Sequence, residues 1–268
     1  MSLTFEERKK VIVKTLTRDE KVYVRNLSNE LGVSGETIRR DLDRLEKEGV
    51  LKKVYGGAVK EKSSLELSFD LKTDIMAFEK QAICKAAADL VEDGDSIIIG
   101  HGTTPVGIVR YLANKKNVTV ITPSIPVLLL AMDHFHGKVI FIGGEYEADQ
   151  KFTSGPLSES VLGQLKANKS FIAAGGLSIN DGMSDYDLQG ASSSKQMMNR
   201  TDEAIILADH TKFGKTTFAH ICPLSVISMI ITDKQCSEEW KNVLTENEIE
   251  LVIAEEAKQV LDFNREIC

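Results

Sequence analysis

The chain is poor in cysteine, tryptophan and proline: its 268 residues include four Cys, one Trp and five Pro. The cysteines are far apart and form no Cys-x-x-Cys pair, so we expect reduced thiols and neither a zinc knuckle nor a redox dithiol. The longest apolar stretch, residues 123–132, is shorter than the roughly 20 residues of a membrane-spanning helix. The first ten residues are charged and contain no apolar signal-peptide core. The sequence therefore predicts a cytoplasmic protein without a membrane partner.

Net positive charge is also missing, because 33 Lys and Arg stand against 40 Asp and Glu, which gives −7. An acidic total argues against a protein that coats nucleic acid over its whole surface. The charge is unevenly distributed, however: residues 1–60 hold 14 basic and 10 acidic side chains, whereas residues 61–268 hold 19 and 30. This asymmetry indicates a small basic module joined to a larger acidic one.

Three helical patterns follow one another closely in the basic module, at residues 5–16, 24–31 and 34–48. In the third pattern, Ile38, Leu42 and Leu45 recur at i, i+4 and i+7 and so predict one buried face. Gly32 is a typical helix stop and Ser34 a typical N-cap. The short segment between the second and third helices therefore predicts the tight elbow of a helix–turn–helix.

The polar face of the third predicted helix is basic. Burial of the apolar face turns Arg39 and Arg40 outward near the start of the helix, where a recognition helix meets base edges in the major groove. Residues 50–60 predict two strands joined at Gly56-Gly57, which is the pattern of a wing. A small core with a merely solvated charged face would give the same helices, but the order, the elbow and the local positive charge favour DNA binding. The predicted DNA contacts are Ser34, Thr37, Arg39, Arg40, Arg44, Lys47, Lys52, Lys53 and Tyr55.

Apolar segments alternate with helical ones from about residue 74 onward. Residues 61–73 show no periodicity, so we expect a linker between a DNA-binding domain at 1–60 and an α/β domain at 74–268. The alternation predicts a mainly parallel sheet covered by helices on both faces. Ligands of such sheets bind at the carboxyl ends of the strands.

Several predicted strand ends carry groups suited to an anion. The segment Gly100-His101-Gly102-Thr103-Thr104 offers backbone N–H groups and two hydroxyls ahead of a predicted helix. Other strand ends supply Gly143, Gly144, Asp181 and Asp209, and Lys212 adds a point charge. Each feature alone is more typical of a turn, a cap or a surface charge. Their joint occurrence predicts an anion site, and we expect no catalytic residue, no metal and no cofactor.

Two sets of residues resemble one protein family, the DeoR family of bacterial transcriptional repressors. The N-terminal set is Thr37-Ile38-Arg39-Arg40-Asp41-Leu42, Leu45, Gly49 and Gly56-Gly57-Ala58. The second set is Gly102-Thr103-Thr104, Gly143-Gly144, Gly155-Pro156, residues 209–214 and Ile231-Thr232-Asp233. The resemblance covers nearly the whole chain. It implies a winged helix–turn–helix that binds operator DNA, followed by an effector domain that is similar in fold to ribose-5-phosphate isomerase and binds a phosphorylated sugar.

By position, the resemblance implies that Gly102–Thr104 and Lys212 hold the phosphate, and that the neighbourhoods of Gly143 and Asp181 face the sugar. The chain departs from the family pattern at several positions. It has Gly100-His101 where the family commonly has Asp-Ala or Asp-Ser, and Pro123 where the family has Asn. On the later helix, Gln189-Gly190-Ala191 stands at a common Glu-Ala, and Lys195 alone stands at a common Lys-Arg pair. In the wing, Lys53 and Tyr55 replace Arg and His. We therefore expect an effector other than the family's commoner hexose or triose phosphates, with His101 as a replacement polar contact.

The leading hypothesis is a repressor of a carbohydrate-metabolism operon that responds to this effector. Half-sites about 34 Å apart require two recognition helices, so we expect a homodimer or a homotetramer. The alternative is a sugar-phosphate isomerase or deaminase that carries a winged-helix module, with Glu145, Asp181, Asp185 and Asp209 available as bases. The loss of the family's acid at Gly100 argues against catalysis. A third possibility is a winged helix that binds protein instead of DNA.

Overall fold

The computed structural model describes residues 3–60 and 66–255. The chain divides into two compact units, Met1–Ile75 and Met76–Cys268. The helices are α1 (Phe5–Asp19), α2 (Val24–Leu31), α3 (Gly35–Lys47), α4 (Phe69–Thr73), α5 (Ala77–Asp89), α6 (Ile125–His134), α7 (Gly155–Gly163), α8 (Leu188–Asn199) and α9 (Glu238–Glu246). Short 3₁₀ helices span Pro105–Tyr111, His210–Lys212 and Leu224–Val226. None of the helices in the described ranges is long and apolar enough to cross a membrane.

The strands of the first unit are β1 (Lys21–Tyr23), β2 (Leu51–Val54) and β3 (Gly57–Lys60). Those of the second unit are β4 (Ser96–Ile99), β5 (Thr119–Thr122), β6 (Lys138–Phe141), β7 (Glu145–Glu147), β8 (Phe152–Ser154), β9 (Ala167–Ala173), β10 (Gly176–Ser178), β11 (Gly182–Asp185), β12 (Thr201–Leu207), β13 (Ala219–Cys222), β14 (Met229–Thr232) and β15 (Glu250–Ile253).

The first unit packs α1, α2 and α3 against a small antiparallel sheet. Its core includes Ile12, Leu27 and Leu42, each from a different helix. The predicted hairpin is present as β2 and β3, and β1 adds a third strand that pairs with β3. The sequence did not predict β1, because an alternation over three residues cannot be distinguished from a loop. The described part of the predicted linker contains α4, whose Phe69 is buried.

The second unit is built on a seven-stranded sheet with the order β15-β14-β12-β9-β4-β5-β6. Every strand pair in this sheet is parallel, which confirms the predicted parallel architecture. The central strands carry fully buried side chains such as Ile98 and Phe171. Two small antiparallel groups, β7-β8 and β10-β11-β13, accompany the sheet. Their strands of three or four residues were not predicted, for the same reason as β1.

The order of the strands places a topological switch point beside β4. The chain adds β5 and β6 on one side of β4, and β9, β12, β14 and β15 on the other. The backbone N–H of Gly100 donates to the carbonyl of Phe171 at 3.0 Å, so the β4-β9 pairing continues past the end of β4. Open parallel sheets bind ligands in the crevice outside the carboxyl ends of the strands at such a point. The topology therefore brings the predicted loop 100–104 to the expected ligand position.

Candidate nucleic-acid interface and ligand site

The elbow between α2 and α3 is built from local hydrogen bonds. Gly32 ends α2 with a φ of 63°, a left-handed conformation that favours glycine. The Ser34 hydroxyl caps α3 by accepting from the N–H of Thr37 at 3.1 Å. The Ser28 hydroxyl donates to the Val33 carbonyl at 2.6 Å and closes the turn. The predicted helix–turn–helix elbow is confirmed.

The rotation of α3 is fixed by burial and by one ion pair. Ile38, Leu42 and Leu45 are completely buried, as their spacing predicts. The buried carboxylate of Asp41 accepts from Arg8 Nε at 2.6 Å and from a second guanidinium nitrogen at 2.9 Å. This bidentate pair ties α3 to α1. The sequence did not predict this pair, although Asp41 lies on the apolar side of α3 beside Ile38 and Leu42.

The predicted base-contacting arginines lie at the surface of α3. The side chains of Arg39 and Arg40 are 61% and 78% exposed. Each guanidinium lies near Glu36, at 3.4 Å for Arg39 and 3.7 Å for Arg40. Exposed ion pairs of this kind contribute only about 0–1 kcal/mol, so a phosphate or a guanine edge can replace Glu36 at little cost.

Arg44 has structural partners within the unit. Its guanidinium lies over the ring of Phe5, at 4.0 Å from the centroid, and its Nε is 3.3 Å from Glu48. The predicted DNA contact of Arg44 therefore competes with a cation–π contact to the start of α1.

Lys53 also has partners within the first unit. The other predicted wing residues are exposed. Its ammonium donates to Asp43, and its backbone N–H donates to Glu46 at 2.7 Å, which holds the wing against α3. Lys47, on α3, and Lys52 and Tyr55, on the wing, are exposed. The predicted DNA contacts that are exposed to solvent are thus Ser34, Arg39, Arg40, Arg44, Lys47, Lys52 and Tyr55, although Arg44 also contacts Phe5 and Glu48.

The loop after β4 follows the predicted course, but the helix behind it is short. Gly102 has a φ of 96°, and a Cβ there would lie 3.1 Å from Ala173 Cβ, so the loop needs glycine. The buried Thr104 precedes a 3₁₀ helix of seven residues, Pro105–Tyr111. A short 3₁₀ turn has poorer hydrogen-bond alignment than an α-helix. The sequence predicted that backbone N–H groups ahead of a helix attract the anion. With only a short 3₁₀ helix there, the side chains near the loop contribute more of this attraction.

Two lysines and one carboxylate gather at the ends of β4 and β12. Lys80, buried on α5, donates to the Thr103 hydroxyl at 2.8 Å. Burial by itself raises the pKa of Asp209, but Lys212, the hydrogen bond from Thr211 and Lys80 outweigh it, so the pKa is lowered. The structure thus brings together Thr103, Asp209 and Lys212, as predicted, and adds Lys80. A lysine on the otherwise apolar face of α5 was the signal for this residue.

His101 occupies a fixed position beside this group. Its ring stacks on Phe152, with centroids 4.2 Å apart and planes 14° apart. Its Nε2 lies 3.3 Å from a carboxylate oxygen of Asp185. A Cβ on Gly190 would lie 3.2 Å from the same nitrogen and 2.9 Å from Asp185. The absence of a side chain at Gly190 therefore leaves the room that the His101–Asp185 pair occupies.

The remaining predicted ligand residues lie elsewhere. Asp181 is exposed in the β10-β11 turn, at the opposite end of β11 from Asp185, and accepts from the Thr216 hydroxyl at 2.8 Å. Lys195 is exposed on α8. The structure therefore brings Asp185, and neither Asp181 nor Lys195, to His101. Gly143 and Gly144 precede the β7-β8 hairpin, whose Phe152 contacts His101.

Within the described ranges, no group of three or more His, Cys, Asp or Glu could hold a metal ion.

Comparison with family models gives two matches. Residues 8–64 match the DeoR-like helix-turn-helix domain, and residues 76–234 match the DeoR C terminal sensor domain. The sheet unit also resembles ribose 5-phosphate isomerase A from Methanocaldococcus jannaschii, with 20% identity and a TM-score of 0.36, over 50% of this chain and 53% of the other. The chain thus spans about half the length of that isomerase structure.

Curated relatives are similar over most of their length. The HTH-type transcriptional regulators YulB and IolR of Bacillus subtilis (strain 168) are 35% and 30% identical, over 85% and 87% of this chain and 88% and 93% of theirs. The lactose phosphotransferase system repressor of Staphylococcus aureus (strain NCTC 8325 / PS 47) is 31% identical over 91% of this chain and 98% of its own. The chain belongs to the DeoR family of transcriptional regulators, with an N-terminal helix–turn–helix and a C-terminal sensor domain.

Proposed function

We propose that this regulator is a homo-oligomeric repressor that binds operator DNA through α3 and the wing and is controlled by a phosphorylated sugar bound beside β4. The observation that carries the proposal is the buried ammonium of Lys80, which donates to Thr103 at the switch point of the sheet. Lys212 and Lys80 both lower the pKa of Asp209, so two ammonium groups lie close to this strand end. Ammonium groups form strong, charge-assisted hydrogen bonds with phosphate, which supports a phosphorylated ligand.

The name of one relative supports the sugar part of the proposal. A relative that is 31% identical is named as the lactose phosphotransferase system repressor, so its name connects it with a sugar. The departures at Gly100, His101 and Gly190 favour a different sugar from that of most relatives.

The DNA contact is tested with single alanine variants and a duplex from the region upstream of the protein's own gene. Arg39→Ala and Arg40→Ala should each weaken binding by about 1–3 kcal/mol if the arginine contacts a base edge. Arg18→Ala is the matched control, since Arg18 is exposed on α1 and pairs with Asp19. Fluorescence anisotropy titrations measure the affinity. Equal affinity of all three variants and the wild type would exclude α3 as the recognition helix.

The phosphate site is tested by a thermal-shift screen against sugar phosphates. A ligand at 100 times its Kd stabilises the folded protein by about 2.7 kcal/mol. Lys80→Met, Lys212→Ala and Thr103→Ala should abolish the shift and leave DNA affinity unchanged in the absence of ligand. Lys85→Met is the control, because Lys85 is exposed on the same helix as Lys80. A full ligand response in the Lys80 and Lys212 variants would place the phosphate elsewhere.

One observation favours an enzyme as the second candidate. The His101–Asp185 pair at the ligand crevice has the residue types of a general base and its orienting carboxylate. If the protein is an isomerase or a deaminase, the purified protein will convert ribose 5-phosphate or glucosamine 6-phosphate. Turnover that disappears in His101→Ala would favour the enzyme. Binding without turnover would favour a regulator that only senses its ligand.

A further inference from the structure

Helix α8 carries three consecutive serines with different environments. Ser192 is exposed and donates to Glu159 at 2.7 Å. Ser193 and Ser194 are 5% and 0% exposed, and neither hydroxyl has a hydrogen-bond partner in the described part of the chain. The Nδ1 atom of His101 is also buried and also has no hydrogen-bond partner in the described residues. Buried polar groups almost always have partners, so three unpaired groups require an explanation.

The spacing of residues along α8 places the two serines close to the strand end that carries His101. A Cβ on Gly190 would lie 3.2 Å from His101 Nε2, and a Cβ on Gly100 would lie 3.4 Å from the terminal methyl of Met197. Residues 190, 194 and 197 share one face of α8, at i, i+4 and i+7. Ser194 therefore lies between two contacts that α8 makes with residues 100 and 101. Ser193, at i+3 from Gly190, lies beside it.

The chemistry of the unpaired atoms selects one kind of partner. The Asp185 carboxylate can only accept, so His101 Nε2 donates to it. Nδ1 then accepts when the ring is neutral and donates when the ring is protonated. A serine hydroxyl both donates and accepts. An alcohol hydroxyl satisfies all of these groups, whereas a carboxylate cannot donate to Nδ1 and an ammonium cannot accept from serine.

We propose that Ser193, Ser194 and the Nδ1 atom of His101 form a subsite for uncharged hydroxyl groups of the effector. This inference rests on the proposed sugar-phosphate function. His101 is two residues from Thr103, a span of at most about 7 Å along the backbone. One ligand can therefore place its phosphate at Lys80 and Thr103 and its hydroxyls at His101 and Ser194. The effector is then a phosphate ester of a polyhydroxylated chain or ring without a second charged group at this end.

Titration calorimetry with two kinds of probe separates the subsite from the phosphate site. The probes are inorganic phosphate and the tightest binder among glyceraldehyde 3-phosphate, ribose 5-phosphate, glucose 6-phosphate and sorbitol 6-phosphate. Ser194→Ala and His101→Ala should each raise the Kd of the sugar phosphate about tenfold, the loss of one good hydrogen bond. The Kd of inorganic phosphate should stay within about twofold. Ser192→Ala, the neighbouring control, should change neither value, and Lys80→Met should weaken both probes.

The stability of the ligand-free protein gives an independent readout. Ser194→Ala removes an unpaired buried hydroxyl, so its Tm should rise above that of the wild type while its gain in Tm with the sugar phosphate becomes smaller. A lower Tm together with an unchanged Kd would show that Ser194 has a structural role and would overturn the subsite. If Ser194→Ala and His101→Ala bind like the wild type and Lys80→Met does not, the subsite alone fails. If no probe binds, or if Lys80→Met binds all probes normally, the proposed function fails as well.

Discussion

Asp209 is buried, yet its surroundings favour the charged form. Burial raises its pKa, and the fields of Lys212 and Lys80 with the Thr211 hydrogen bond lower it further than burial raises it. A carboxyl with a lowered pKa in the folded state stabilises the protein above its unfolded pKa. This contribution is lost as the pH falls through the folded pKa.

The charge of Asp209 can be tested by the pH dependence of stability. Asp209→Asn keeps the size of the side chain and one acceptor oxygen, but it removes a negative charge that faces Lys80 and Lys212. We expect the variant to be less stable than the wild type near pH 7, by about 1–3 kcal/mol. The difference should vanish as the pH falls below the folded pKa of Asp209, because the wild-type carboxyl is then neutral too. Thermal unfolding at a series of pH values measures it, and a constant difference down to the most acidic samples would contradict the assignment.

The sequence predicted the residues of the ligand loop better than their partners. Thr103 and Asp209 follow strands, and the carboxyl ends of parallel strands meet at one edge of a sheet. Lys80 lies on a helix, where only the packing of α5 shows that its ammonium reaches Thr103. The sequence predicts Asp181 as a ligand residue because Asp181-Gly182 has the pattern of a strand end. The β10-β11 hairpin, which places Asp185 beside His101, has strands of only three and four residues and is too short to predict.

At the scale of elements, the Arg8–Asp41 pair joins α1 to α3, the proposed recognition helix. Arg8→Ala would leave the Asp41 carboxylate buried without its partner, which typically costs about 3–5 kcal/mol. We expect amide protection in α3 to fall by roughly two to three orders of magnitude, as measured by hydrogen exchange on the full chain. Amides of β9 provide the internal reference. Arg18→Ala breaks the exposed pair with Asp19 and should change protection by less than about tenfold. Equal protection in both variants would show that the buried pair does not hold α3.

Longer helices and strands could be predicted from the sequence, whereas the shortest strands could not. The predicted helix at residues 34–48 is present as α3, and the predicted alternation of strands and helices after residue 74 includes α9 and β15. These segments carry an N-cap serine or a run of apolar residues. β7 and β8 offer three residues each, and their pairing depends on contacts such as Glu147 opposite Phe152. Tertiary pairing of this kind leaves no periodic signal in the sequence.

At the scale of the whole molecule, the surplus of positive charge lies in the N-terminal residues that include α3 and the wing. Residues 1–60 carry a surplus of four positive charges, whereas residues 61–268 have eleven more acidic than basic side chains. Glu36, Asp43 and Glu48 pair with basic residues of the first unit. Among the basic side chains of α3 and β2, Lys47 and Lys52 have no acidic partner within the described residues, so they should contribute directly to phosphate binding.

The salt dependence of DNA binding should identify these lysines. Each phosphate neutralised by a cation releases counterions and adds about −0.9 to the slope of log K against log salt. Lys52→Ala should reduce the steepness of this slope by about 1 and weaken binding to all sequences alike. Lys166→Ala removes the same charge from the sensor domain, where Lys166 pairs with the exposed Asp202, and should leave the slope unchanged. Anisotropy titrations at several salt concentrations give both slopes. Parallel lines for Lys52→Ala and the wild type would place the wing off the DNA backbone, whereas a change in Lys166→Ala would show that the acidic part of the molecule also contacts phosphate.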